Sequence, residues 1–333
     1  DNTERGIGLS TTAQGISALL VEGHGLALLK NPISSLFRLG DLAVETVVRF
    51  VRFPFPKPTT HYPSLSQCQG MDLAAWEAWL DRYTGTHQED GSLDLLMDGE
   101  QFFPRLRQAF AAATNHIHVD VYIFDKDDVG VSVADQLKER ACEVEVKVIF
   151  DRLGSIGGGA SPPGTPMPED FVAPTSIYSY LKQDSNVRVR PFLNPWFSSD
   201  HSKLFLVDGT QAWMGGMNLG REYRYEWHDL MVELQGPVVA SLEDEFRREW
   251  AHEGPLGDLG YVAALARGPR KPEAPQSSDR WIKVRLLPTK TAWKPFSAAV
   301  QGAIGKSQSY IYLENPYLFD KRVIIELVRA RNR

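Results

Sequence analysis

Two apolar runs of strand length, Ile117 to Phe124 and Val144 to Phe150, flank a helix-like segment from Val131 to Ala141. That order constrains the fold more than any other feature of the chain. Strands joined through a helix lie parallel in one sheet, and the crossover between them is right-handed. The expectation is an α/β protein whose sheet is at least partly parallel. Further strands are expected from Val187 to Phe192 and in the fully apolar run Leu204-Phe205-Leu206-Val207. A chain of 333 residues has room for one large or two modest domains, and 43% hydrophobic residues excludes wholesale disorder.

The last of those strands carries chemistry at both ends. His201 and Lys203 precede or open it, separated only by Ser202, so the alternation of a strand projects both to one face. Asp208 follows the run and starts a turn, Asp208-Gly209-Thr210. After a second apolar stretch, Ala212-Trp213-Met214, the pair Gly215-Gly216 permits backbone and Asn218 to approach a ligand closely. A neutral imidazole, a fixed cation and an amide donor could surround one phosphate; a metal-free attack on a phosphodiester needs a nucleophile, cations and also an acid for the leaving group. The imidazole can carry the phosphoryl group covalently. Donors held on the non-bridging oxygens are worth about 3–4 kcal/mol each in the transition state. A His-x-Lys pair on its own is more often a solvated strand edge, so the wider pattern has to carry the argument.

That pattern, His201-x-Lys203-x4-Asp208-x6-Gly215-Gly216-x-Asn218, resembles the HKD motif of the phospholipase D superfamily. Its surroundings resemble the bacterial cardiolipin synthase branch. Trp227-His228-Asp229 through Gly236-Pro237-Val238-Val239 matches, as do Phe246 and Trp250, and Asp151 with Gly154-Ser155 resembles the family's strand and turn. A strand ending in a tight turn explains those last three residues equally well. The resemblance covers roughly residues 92 to 333. It implies an αβα sandwich with a mixed central sheet and a phosphatidyltransferase acting through a phosphohistidine. His201 would attack, Lys203 and Asn218 would hold phosphate oxygens, Asp229 would orient the imidazole, and Asp208 would brace the turn behind the site. Hydrolysis by a phospholipase D, a metal-independent nuclease and a non-catalytic membrane-binding relative are the competing readings. The implied partners are a phosphatidylglycerol-like phospholipid, an alcohol or water acceptor, and a bacterial membrane surface on an undetermined side. Trp196, Phe197 and Tyr223 either line a headgroup or acyl pocket or belong to the core.

Composition adds limits. A net charge of −6 and a pI near 5.8 argue against a dedicated nucleic-acid binder. No window approaches eighteen apolar residues, so no transmembrane helix is expected. No His, Cys and carboxylate cluster has metal-ligand spacing, so no cofactor is expected. His116 and His118 alternate with Ile117 and Val119, as satisfied residues at a surface or layer boundary do. Cys142 is expected as a free, partly buried thiol, and Cys68 lies far from it.

Four segments are expected: an N-terminal helical extension (1–91), a first repeat with the motif (92–253), a linker (254–279) and the start of a second repeat (280–333). In the extension, Asn31 as N-cap and Pro32 at the first helical position open an amphipathic helix. Leu36, Ala43, Val44, Val47, Val48 and Val51 share one stripe, with Arg38, Asp41, Glu45, Arg49 and Arg52 opposite. Such a helix packs its apolar face on its own domain or lies on a membrane surface. Trp76 and Trp79 fit core packing and an interfacial anchor equally. In the first repeat, Asp98 with Gln101 reads as a capping box. Beyond the linker, Val284-Arg-Leu-Leu-Pro288 echoes Leu93-Asp-Leu-Leu-Met97, a helix follows through Phe296 to Ile304, and Tyr310 to Glu314 reads as a strand. A second motif is then due near position 395. The expectation is that it lies in a missing C-terminal portion or is supplied by another subunit.

Overall fold

The computed structural model describes residues 17, 21–50, 56–58, 70–158, 163–195, 198–269, 278–289 and 294–333. Eight strands form one sheet in the order β4-β3-β2-β5-β6-β7-β1-β8. They are β1 (Gln88–Met97), β2 (His116–Val121), β3 (Glu145–Asp151), β4 (Arg188–Phe192), β5 (Lys203–Val207), β6 (Gln211–Gly215), β7 (Leu230–Gln235) and β8 (Ile282–Arg285). β2, β3 and β4 run parallel, as the strand–helix–strand order demands. β5, β6, β7 and β1 continue from β2 by antiparallel pairing. The sheet is mixed, as expected.

Alternation along the strands builds two layers of contact. Ile117, Val119 and Val121 of β2, Val148 of β3, Phe205 of β5 and Trp213 of β6 face one side. There they meet Phe102, Leu106 and Phe110 of α4 (Asp98–Ala112) and Val133 and Leu137 of α5 (Asp128–Arg140). The opposite parity, including His118, faces α9 (Val238–His252), with His118 stacked on Phe246 at 4.4 Å. Short helices α6 (Arg152–Gly158), α7 (Ile177–Lys182) and α8 (Arg221–Tyr225) complete the connections.

Two compact units divide the chain differently from the four expected segments. The first joins 1–36 to 89–284 and holds almost the whole sheet, together with helix α1 (21–30). The second joins 37–88 to 285–333. It contains most of α2 (Pro32–Phe50), α3 (Leu73–Thr84), α11 (Pro295–Lys306) and α12 (Lys321–Arg331). Trp76 and Trp79 stack at 5.1 Å and pack on Gly302 of α11, where an added Cβ would lie 2.5 Å from Trp79. They are packing residues of that unit.

Several local expectations need correction. The stretch 254–279 is not all linker, since α10 (Gly257–Ala266) packs on α9. Its Gly260 sits so near Ala251 that a Cβ would lie 2.6 Å from the carbonyl oxygen. Asn31 does not cap α2. Asp258 accepts from Ile33 N at 2.8 Å and Ser34 N at 3.2 Å instead. Asp98 does not cap α4 either; it adopts φ 60° and turns its carboxylate to His228 and the Asp229 amide. Residues 310–314 form no ladder, and β8 lies at the edge of the eight-stranded sheet beside β1. A strand segment without a neighbour leaves its backbone groups to water. Cys142 is exposed, because its helix ends there, and Cys68 lies outside the described residues.

His116 and His118 both reach Glu243, at 2.7 and 3.0 Å, the one three-ligand cluster among the described residues. Glu243 lies 125 residues beyond His118, which is why spacing alone did not reveal it. The two imidazoles stack at 4.3 Å with 27° between their planes. As arranged, the trio is a hydrogen-bonded network with Glu243 as double acceptor. Burial raises the Glu243 pKa, but the two imidazole donors outweigh it and hold it at about 2. Burial lowers that of His118.

Both shifts make the fold acid-labile. A depressed carboxylate stabilises above its unfolded pKa of 4.5, and a depressed imidazole stabilises above its unfolded 6.5. Thermal unfolding should therefore show Tm falling as pH drops below 6.5 and again below 4.5. Asp208 offers a second test. It takes four hydrogen bonds, from Thr114 N, Thr114 Oγ1, Asn115 N and His116 N, at 2.7–2.9 Å. Asp208→Ala should cost about 1–2 kcal/mol in chemical denaturation, as loss of a cap does, and Asp208→Asn less, because Asn tolerates its φ of 55°.

Candidate active site

The carboxyl ends of β2 and β3 converge on the amino end of β5, the place where open α/β sheets bind ligands. Val121 of β2 pairs with Lys203 of β5, and Tyr122 N extends the ladder to Ser202 O at 2.8 Å. His201 stands exposed at the rim with its ring on Tyr122, centroids 4.4 Å apart. Lys203 is buried, with 6% of its surface exposed, and its Nζ lies 3.2 Å from His201 Nδ1 and 5.0 Å from the Tyr122 ring centre. Sequence alternation put these two side chains together, and the structure brings them into contact.

Asn218 reaches the same end of the sheet from the turn after β6. Its Oδ1 accepts from Ile123 N at 2.9 Å, and its amide meets the Tyr223 hydroxyl. An amide nitrogen has two hydrogens, so one donor is left for an incoming oxygen. Tyr223 is thus a buried support of Asn218 rather than a pocket rim, and burial drives its hydroxyl pKa up to about 12. Gly215 and Gly216 are required by β7. A Cβ on Gly215 would overlap Leu230 O, and one on Gly216 would overlap Asp229 Oδ1. The pair admits Asp229 to the site. Trp196 and Phe197 lie outside the described residues.

Asp229 is drawn toward Lys203 electrostatically, but its Oδ1 accepts from Leu230 N at 2.7 Å and it makes no hydrogen bond to His201 among the described residues. Facing an ammonium, His201 Nδ1 is an acceptor, so the neutral ring carries its proton on Nε2. Attack through Nε2 demands the other tautomer. Asp208 stands at the far end of β5, five residue steps or about 16 Å along the strand from Lys203. It braces the 114–116 turn and touches nothing at this end.

Four supporting residues, Asp151, Asn194, Gly154 and Tyr122, were given no role from the sequence. Asp151 is fully buried, accepts from Gly154 N at 2.8 Å and Asp200 N at 2.8 Å, and is gripped by Asn194 Nδ2 at 2.7 Å. Asp200 adjoins His201, so this clamp holds the approach to the imidazole. Gly154 is where the Tyr122 ring passes, since a Cβ there would lie 2.5 Å from Tyr122 Cε2. The Asp151 and Gly154 pattern was the readable signal; Tyr122 and Asn194 had none.

Electrostatics suit a neutral nucleophile beside a cation. Partial burial of the ring first, then Lys203, pushes His201 down to about 4 although its outer edge is exposed. Burial lowers Lys203 to about 8 against the pull of Asp200, Asp229, Asp120 and Asp151.

Residues 106–250, which span all of this, match the family described as "Cardiolipin synthase, PLD-like domain". Over those residues the chain is similar to a phospholipase D-like domain. Among curated relatives, the major cardiolipin synthase ClsA of Bacillus subtilis is 24% identical over 248 residues, covering 72% of this chain and 49% of that protein. Cardiolipin synthase A of Pseudomonas entomophila is 31% identical over 176 residues, 48% of this chain and 33% of that one. The chain therefore spans at most about half the length of these relatives. Nuc from Salmonella typhimurium, a phospholipase D family member of known structure, matches at 18% identity with a TM-score of 0.37, over 48% of this chain and 94% of that one.

The electrostatics of the site can be tested directly. The His201 imidazole, followed by NMR, should titrate near pH 4 and be neutral above it. Lys203→Met should raise that midpoint while leaving it below 6.5, since burial is the larger cause. A midpoint at 6.5 in the unaltered protein would contradict the geometry.

Proposed function

We propose that the domain is the phosphatidyl-transferring half-site of a cardiolipin synthase-like enzyme, with His201 as nucleophile. The observation that carries this reading is the contact of His201 with buried Lys203 beside an anchored Asn218, in a domain whose relatives are cardiolipin synthases. His201 Nε2 attacks the phosphorus of a phosphatidylglycerol-like diester. The bond from phosphorus to the glycerol oxygen breaks, and an acid protonates that oxygen. The hydroxyl of a second phosphatidylglycerol then loses its proton to the same group and displaces His201. Cardiolipin and glycerol leave, and the enzyme is restored.

Lys203 and Asn218 hold the non-bridging oxygens, which gain charge as the bond breaks. When a phosphate draws Lys203 Nζ away from His201 Nδ1, that nitrogen is free to carry its proton toward Asp229. Catalytic hydrogen bonds often tighten only with substrate present. The acid and base is a second imidazole from a second copy of the motif, in the full-length protein or another subunit; His-x-Lys occurs once in residues 1–333. The substrate places the enzyme at a bacterial membrane surface. With water as acceptor the same intermediate makes a phospholipase D. A nuclease is disfavoured by the net charge of −6.

Full-length protein given labelled phosphatidylglycerol should release cardiolipin and glycerol. Phosphatidic acid as the sole product would make it a hydrolase, and cleavage of single-stranded DNA in EDTA without lipid turnover would overturn the lipid reading. His201→Ala should lower turnover by about a thousandfold or more and abolish the alkali-stable phosphoenzyme. For the unaltered enzyme, kcat/KM should fall above about pH 8 as Lys203 loses its proton, and Lys203→Arg should move that fall to higher pH.

A further inference from the structure

Helix α2 sits inside out. Its charged stripe faces the protein, where Asp41 meets Lys294 Nζ at 2.9 Å and Glu45 meets Arg322 Nη2 at 3.4 Å. Its apolar stripe faces outward, with Leu36 71%, Val47 60% and Phe50 83% exposed, beside Ile33, Phe37, Leu39, Leu42 and Val44. Every exposed residue described on α2 is uncharged. Thr46 is the one with a polar side-chain atom, and its hydroxyl is already spent on Leu42 O at 2.7 Å. At about 100° per residue the uncovered arc is roughly 200° wide.

Helix α10 is built the same way. It buries Gly257, Asp258, Gly260 and Ala264 and turns Leu259, Val262 and Leu265 outward, Leu259 being 73% exposed. Arg247 fixes its end by donating to Ala264 O and Gly268 O at 2.9 and 2.8 Å. Asp258 joins the start of α10 to the first turn of α2 through the Ile33 and Ser34 amides.

We infer that the outward face of α2 and, separately, that of α10 each place their apolar side chains in the acyl boundary of a phospholipid bilayer. The choice of bilayer rests in part on the lipid reading above and in part on the faces themselves. A partner helix would cover a stripe of about 100°. A protein interface also carries about one hydrogen bond per 100–200 Å². The arc on α2 is twice as wide and presents no free hydrogen-bonding side chain, which fits a continuous apolar medium. No described helix is long and apolar enough to cross a membrane, so the helices lie in its surface.

Flotation of the full-length protein with vesicles of equal parts phosphatidylglycerol and phosphatidylethanolamine tests this. Leu36→Glu with Val47→Glu, and separately Leu259→Glu with Leu265→Glu, should each weaken vesicle binding at least about tenfold. Turnover of a short-chain, water-soluble diester should stay unchanged, which shows that the variants fold. Phe50→Trp should add an emission component that shifts to the blue on vesicles and is quenched by brominated acyl chains. Variants that float as well as the parent, or an added indole emission that the brominated chains leave unquenched, would overturn the proposal. So would a dimer that the substitutions disperse while vesicle binding persists. Vesicle binding without cardiolipin formation would defeat the functional reading alone. Cardiolipin formed from detergent-dispersed lipid, with variants that still float, would defeat this one alone.

Discussion

The pairing of β5 with β2 in the centre of the sheet is the constraint on which the rest depends. It is tied at one end by Asp208, whose carboxylate gathers the amides of residues 114–116. It is extended at the other by Tyr122 and Ser202. Between those ties the register has no slack, because a one-residue slip would carry Lys203 to the α9 face and Leu204 to the site. The first tie is remote from the chemistry and still determines where His201 stands.

Around that frame the site is assembled from short-range accommodations. Gly154 makes room for Tyr122, Gly216 makes room for Asp229, and Tyr223 anchors Asn218. Each lets a polar or aromatic group approach a buried cation. Lys203 is lowered by burial but kept from falling further by four carboxylates. The imidazole beside it is therefore neutral over the range in which the ammonium is charged, the combination a nucleophile and a phosphate clamp need together.

Much of this was legible before folding. The parallel β2–β3 unit followed from strand, helix and strand; the contact of His201 and Lys203 followed from alternation; Asp208 as a brace followed from the resemblance. Expectations resting on contacts remote in sequence fared worse. Asn31 looked like a cap until Asp258, more than two hundred residues away, took its place. Asp98 looked like one as well, but its side chain is committed to residues 228 and 229. The stretch called a linker hid α10 because its Gly, Pro and polar residues read as loop, whereas Gly260 in fact permits close packing on Ala251 of α9.

The chain's residue order by itself determined which side chains are available and which neighbours share a face, since strand and helix periods are local properties of the backbone. That α2 carries two opposed stripes was readable from residue spacing. Which stripe faces the protein was not, because that depends on where Lys294 and Arg322 stand when the chain is folded. The same holds for the tautomer of His201, the buried state of Lys203 and the trio of His116, His118 and Glu243. All are consequences of distance in space between groups far apart in sequence, and only the tertiary structure sets those distances.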